Sequence, residues 1–288
     1  MGACYSHMVF FPPTPPTYRI SSDGTVAFPI QRGGTSPTQA VRPVTQLPVT
    51  PTASIPVALV THPNPRYTLL FSHGNAEDLG HMLPYAEELA YLLHVNVAVY
   101  DYIGYGAATG GPPAERALYR SIRAVYRWLV EERGVEWKSI VVVGRSLGSG
   151  PTVDLAQDKR FPVRAMVLVS PIASCIRVVY DTKCVTLKGI DMFPNVDKMK
   201  RVRCPVLVVH GAADELVEMR NGEALWKKAG KWAVEPLWIQ GGDHNSIESD
   251  VRPDWKEQVL ARLARFFDEV DAWQVEEDQT RCWGTKIA

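Results

Sequence analysis

Seven candidate strands, several of them nearly continuous apolar runs, at residues 57–60, 68–71, 95–100, 140–143, 165–169, 206–209 and 234–239, alternate with stretches of helical spacing at 79–93, 113–133, 149–157, 216–229 and 253–267. A strand with one wet face alternates apolar and polar residues, whereas a strand covered on both faces is apolar throughout. Ile140-Val141-Val142-Val143 and Val206-Leu207-Val208-Val209 are of the second kind. Strand–helix repetition with such runs confines the chain to an α/β architecture, a mostly parallel central sheet with helices on both faces. Pro113 suits a first helical turn, and Gly134 follows the last periodic turn of the same helix.

The rhythm is absent from the first ~55 residues, where Pro, Thr, Gly and Ser crowd 11–16 and 33–51; they predict loop, with short strands near 18–20 and 25–30. It also breaks at 170–203, which predicts a minimal lid or extra helix. The expected organisation is an N-terminal segment over 1–17, a single domain over 18–270 with a variable loop at 32–52, and a tail over 271–288.

Composition narrows the function classes. Lys plus Arg and Asp plus Glu are each 31, so no net field draws nucleic acid, which is not an expected partner. No apolar stretch approaches the ~18 residues of a membrane span, and the basic start of a secretory leader is missing. Five scattered cysteines, with no C-x-x-C pair, predict reduced thiols rather than a zinc site or a disulfide framework. Cys175, Cys184 and Cys204 read as small packing residues. No metal or organic cofactor is expected.

In open α/β sheets, reactive groups gather at the carboxyl ends of strands. The run 140–143 leads into Gly144-Arg145-Ser146-Leu147-Gly148, the strand-then-G-x-S-x-G form of a nucleophile elbow. The run 206–209 leads into His210-Gly211-Ala212-Ala213-Asp214, and the last run into Gly241-Gly242-Asp243-His244. A serine hydroxyl needs a base to take its proton, and the base needs a carboxylate to fix its tautomer. Ser146, His244 and Asp214 are the candidates, in the chain order Ser, Asp, His of α/β hydrolases. His244 is the only histidine beyond Asp214. Glu215 and Asp243 are the alternative carboxylates. An oxyanion would be held by the backbone N–H of Leu147 and by that of Asn75 in Ser72-His73-Gly74-Asn75, with Ala76 as second choice. Asp101-Tyr102-Ile103-Gly104-Tyr105-Gly106, after another strand, reads either as pocket floor or as a structural turn.

Phe71–Gly80 (FSHGNAEDLG), Tyr100–Gly106 (YDYIGYG), GRSLG followed by Pro151-Thr152-Val153-Asp154-Leu155, His210–Glu215 (HGAADE) and Val234–Glu248 (VEPLWIQGGDHNSIE) resemble the alpha/beta-hydrolase domain-containing protein 17 family. Phe11-Pro12-Pro13 and Phe193-Pro194-Asn195 resemble it too. The resemblance implies the α/β-hydrolase fold and a membrane-anchored serine hydrolase that cleaves palmitoyl thioesters. Its substrates would be S-palmitoylated proteins, and its triad would fall on Ser146, Asp214 and His244. The chain departs from the family at Ile103, where a small polar residue is usual, and in carrying Cys4 alone where the family has a cysteine cluster.

Met1-Gly2-Ala3-Cys4-Tyr5-Ser6 fits the N-myristoylation pattern, with Gly2 as acceptor once Met1 is removed. One myristoyl chain binds membranes only marginally, so a palmitate on Cys4 would be the second anchor. The expected partner is then a membrane surface, on its cytoplasmic side. The same residues admit a lipid esterase or a serine peptidase on the same triad, and, in another class, a non-catalytic lipid-anchored binding module.

Overall fold

The computed structural model describes residues 9–27, 42–179 and 191–273. Gly2, Cys4, Cys184 and Cys282 lie outside the described residues, as do 28–30, 32–41, most of the C-terminal tail and 180–190 of the expected lid. The chain divides into two compact units, Met1–Gly134 and Val135–Ala288.

In the first unit, β1 (Arg19–Ile20) and β2 (Val26–Ala27) form an antiparallel ribbon. β3 (Thr45–Thr50), β4 (Ala53–Val60), β5 (Thr68–Ser72), α1 (Leu79–Leu93), β6 (Asn96–Tyr100) and α2 (Glu115–Arg127) follow. The strands lie in the order β3-β4-β6-β5, with β3 and β6 antiparallel to β4 and β5 parallel to β6. All five residues of β5 are buried, the apolar Leu69-Leu70-Phe71 together with the polar Thr68 and Ser72 at its ends. α1 starts at Asp78, whose carboxylate accepts from the backbone N–H of His81 and so satisfies a donor that the first helical turn leaves unpaired. It buries Leu79, Leu83, Ala86, Leu89 and Ala90 along one stripe.

β3 occupies part of the stretch expected to be loop. Its Pro48 has no N–H to give a sheet, but β3 is an edge strand and needs partners on one side only. β4 begins four residues before the expected strand. Pro56 pairs there with β3, and pairing with β6 begins only at Val57, so the missing donor breaks no two-sided ladder.

The second unit runs β7 (Ile140–Arg145), α3 (Ser149–Ala156), β8 (Ala165–Val169), α4 (Cys175–Val179), α5 (Asn195–Lys198), β9 (Val206–Gly211), α6 (Arg220–Ala229), β10 (Leu237–Ile239) and α7 (Pro253–Ala272). Its strands are all parallel, in the order β7-β8-β9-β10. β8 and β9 are buried throughout. α6 starts later than the expected 216, because Asp214 holds the backbone of Leu216 and Val217 in a turn. α7 runs beyond 267 because Val270 extends its buried stripe. Parallel neighbours point their carboxyl ends the same way, so the segments after β7, β9 and β10 emerge on one edge of this unit.

No helix among the described residues is long and apolar enough to cross a membrane. Cys204 is buried, and burial pushes its thiol up to about 12.

Candidate active site

β7 ends at Arg145 and the chain turns at once into a short 3-10 segment, Ser146–Gly148, that leads into α3. Ser146 sits at the apex with φ +50°, the left-handed region that L-residues seldom occupy. Such strain persists only where the surroundings impose it. Here the Ser149 hydroxyl donates to the Ser146 carbonyl at 2.6 Å and accepts from the backbone N–H of Ile172 at 3.1 Å, tying the apex to the segment after β8. Leu147, the residue after the serine, is buried in the same turn.

The segments after β9 and β10 are stitched together by main-chain bonds. Ala212 donates to Ile239 at 2.8 Å and Ala213 to Gly242 at 2.9 Å. This approach explains Gly211, since a Cβ there would lie 2.2 Å from the Gly242 carbonyl oxygen. The stitching brings Asp214 and His244 face to face. His244 Nδ1 is 2.7 Å from Asp214 Oδ2, and His244 Nε2 is 2.9 Å from Ser146 Oγ. An ionised carboxylate only accepts, so Nδ1 carries the ring hydrogen and Nε2 presents its lone pair to the serine hydroxyl. The three groups are 8%, 7% and 4% exposed for Ser146, His244 and Asp214, dry enough to strengthen the bonds yet reachable at the serine.

Asp214 holds its charge through its donors. Burial pushes its carboxyl upward, but hydrogen bonds from His210 and His244 and from the backbone outweigh this and leave it well below the usual range. Oδ1 accepts from the backbone N–H of Leu216 at 3.0 Å and Val217 at 2.8 Å, so the residue also shapes the turn before α6. The alternative carboxylates face elsewhere. Glu215 is exposed, and exposed Asp243 accepts from the backbone of Asn245 and Ser246, both at 2.9 Å.

Asn75 and Ala76 lie in the loop after β5, in the first unit. Ala76 is exposed and Asn75 half-buried. The Asn75 side-chain amide donates to the Val9 carbonyl at 2.6 Å and accepts from Phe11 N–H at 2.9 Å and from the Tyr105 hydroxyl at 2.7 Å. His73 in that loop is buried, and its Nδ1 is engaged by the Gly74 carbonyl at 2.7 Å. Burial holds its imidazole below the ordinary range. Asp101 is a structural junction. It accepts from Leu79 N–H at 2.7 Å and from the Tyr18 hydroxyl.

Three contributors were not singled out from the sequence. Ser149 braces the elbow, as described. Glu248 takes the Nε of Arg145 at 3.1 Å, joining the residue before the serine to the segment that carries His244. His210 lies 3.2 Å from Asp214 Oδ2. Its four-residue spacing from Asp214 was the available signal. The partner of Glu248 lies 103 residues off in the chain, and Ser149 reaches Ile172, 23 residues on. Among the described residues no cluster of His, Cys, Asp or Glu could hold a metal ion.

Comparison with known proteins agrees with this architecture. The profile of the alpha/beta hydrolase fold matches residues 67–183. Alpha/beta hydrolase domain-containing protein 17B of Homo sapiens is 42% identical over 205 residues, covering 71% of this chain and 67% of the relative. The chain belongs to the alpha/beta hydrolase domain-containing protein 17 family. Family member 17C of Mus musculus is 43% identical over 205 residues, 71% of this chain and 60% of the relative. The chain thus spans about 60% of the length of the first curated relatives it matches. Among solved structures, Est1E of Butyrivibrio proteoclasticus bound to ferulic acid superposes with a TM-score of 0.64 at 18% identity, over 80% of this chain and all of that one. At that identity the likeness speaks for the fold alone. Both comparisons place the chain among proteins with the alpha/beta hydrolase fold.

Proposed function

We propose that the protein is a serine hydrolase that cleaves palmitoyl thioesters from S-acylated cysteines of membrane-associated proteins. The observation that carries the hydrolytic part is the chain of hydrogen bonds Ser146 Oγ–His244 Nε2 at 2.9 Å and His244 Nδ1–Asp214 Oδ2 at 2.7 Å. Family membership supports the choice of thioester. Ser146 Oγ attacks the acyl carbonyl as His244 Nε2 takes its proton, and Asp214 stabilises the imidazolium. The tetrahedral oxyanion accepts from the Leu147 N–H. Collapse breaks the C–S bond, and His244 returns its proton to the departing sulfur. A thiolate is a good leaving group, with a thiol pKa near 8.5, so this transfer is undemanding. Water then attacks the acyl-Ser146 ester, with His244 again as base, and releases the fatty acid. Atoms and protons balance with this chain and water alone.

Substrate of this kind lies in a membrane interface, and the same reading places the enzyme there through myristate on Gly2 and palmitate on Cys4. Metabolic labelling with alkynyl myristate and palmitate checks this. The first label should vanish in Gly2→Ala, the second in Cys4→Ser, and membrane association in either.

The test of the chemistry is fluorophosphonate labelling of wild type and Ser146→Ala, with palmitoyl-thioester turnover on the same samples. Labelling and turnover should both vanish in the variant. Labelling without thioester turnover would keep the nucleophile and move the substrate to an ester or peptide. A folded wild type that takes no label would overturn the enzyme reading and leave a binding module.

A further inference from the structure

A second imidazole reaches the carboxylate that faces His244. His210 lies in β9, fully buried, with Nε2 2.7 Å from the Val217 carbonyl oxygen and 3.2 Å from Asp214 Oδ2. A carbonyl oxygen only accepts, so Nε2 carries a hydrogen. Nδ1 is buried without a hydrogen-bond partner, and the space beside it is closed, since a Cβ on Gly222 would stand 2.6 Å away. A second ring proton there would be stranded without an acceptor or water. The Nε2–H of His210 is bonded to the Val217 carbonyl oxygen and has Asp214 Oδ2 close beside it, at 3.2 Å.

We propose that His210 is a positioning residue of the hydrolytic centre, holding Asp214 Oδ2 in the direction from which it orients His244. This rests on the serine-hydrolase reading. The backbone N–H groups of Leu216 and Val217 hold Oδ1 of Asp214, which leaves the placing of Oδ2 to the side chains that face it. Oδ2 faces two imidazoles, His244 at 2.7 Å and His210 at 3.2 Å, from opposite sides of the 214 position in sequence. An oxygen that accepts two bonds is a weaker base toward each. His210 thus tempers the pull of Asp214 on the His244 Nδ1–H. The other charged group acting on Asp214 is Asp243, whose own carboxyl is lowered by its bonds to Ser246 and Asn245. Arg145 and Glu248, in the neighbouring segments, are paired with each other.

The experiment follows the ring of His244 by NMR through a pH titration and, in parallel, the pH profile of kcat/KM with an acyl ester. It compares wild type with His210→Phe, which keeps a ring and loses the donor, and His210→Gln, which keeps an amide N–H near the place of Nε2. In His210→Phe the His244 midpoint should rise by about half a pH unit or more, because Asp214 then spends its whole basicity on one partner. The acid limb of kcat/KM should rise with it, and kcat/KM should fall roughly ten- to a hundredfold, as when other supporting hydrogen bonds behind a reactive group are lost. His210→Gln should restore most of both. A folded His210→Phe in which His244 titrates as in wild type overturns the proposal. So does a Gln variant no better than Phe, for the ring would then only fill space. Should Phe prevent folding, His210→Leu supplies the donorless comparison. A wild type that turns over no ester sinks the serine-hydrolase reading by itself, and the His244 titration still decides whether His210 governs that ring.

Discussion

Asp101 and Asp214 are both buried carboxylates just beyond a strand, the first after β6 and the second after β9. Their chemistry is opposite. Asp214 has two imidazoles and two backbone N–H groups around it and stays ionised. Asp101 has the Tyr18 hydroxyl and the Leu79 N–H, with the like charge of Asp78 nearby, and burial pushes its carboxyl up to about 7. His73 Nε2 stands 3.7 Å off, too far for a hydrogen bond. Burial is common to both, so the number of donors decides which carboxylate can serve as a permanent negative charge. Asp214 is equipped to orient and stabilise an imidazolium. Asp101 is equipped to join the N-terminal segment, through Tyr18, to the start of α1.

The contrast breaks most visibly in activity. Asp214→Asn should lower kcat by roughly four orders of magnitude, because the amide favours the wrong imidazole tautomer. Asp101→Asn should retain fluorophosphonate labelling of Ser146. Equal losses in the two variants would show that the carboxylates are not specialised as described.

Acidity separates them next. The folded pKa of Asp101, about 7, lies above its unfolded value near 4, so its contribution to stability is full below about pH 4 and is lost as pH rises through about 7. Asp214 is depressed in the folded chain, so its contribution is present above about pH 4 and is lost as pH falls below that. Thermal melts of Asp101→Asn should therefore decline less between about pH 4.5 and 7.5 than those of wild type. An unchanged slope would assign the pH dependence to other groups.

Tyr18→Phe is a smaller probe of the same junction. It removes the hydroxyl that donates to Asp101 and accepts from Ala107 N–H at 3.1 Å, which should cost about 1–3 kcal/mol in urea unfolding. A loss near zero would mean that water replaces the hydroxyl. Smallest of all, Glu215→Gln should leave stability within about 0.5 kcal/mol and kcat unchanged, because that carboxylate is exposed. A steep fall in turnover would reopen the choice of Asp214.

Much of this was legible in the chain. β8 and α1 occupy the residues that apolar runs and helical spacing predict. Ser146, Asp214 and His244 were each named from their place after a strand. Periodicity and turn residues act over a few neighbours, and so they are written locally. β3 was hidden because Pro48 and its surroundings read as loop, and only its pairing with Ala53–Val60 makes it a strand. The choice of Asp214 over Glu215 and Asp243 needed the main-chain stitching of two segments about thirty residues apart. The second donor of Asp214 needed a closed pocket beside Gly222, and the state of Asp101 needed Tyr18, 83 residues away. Sequence by itself determined which elements form and which groups follow each strand. Tertiary structure alone decided which carboxylate is charged, because charge in a buried site depends on donors that the fold brings from far along the chain.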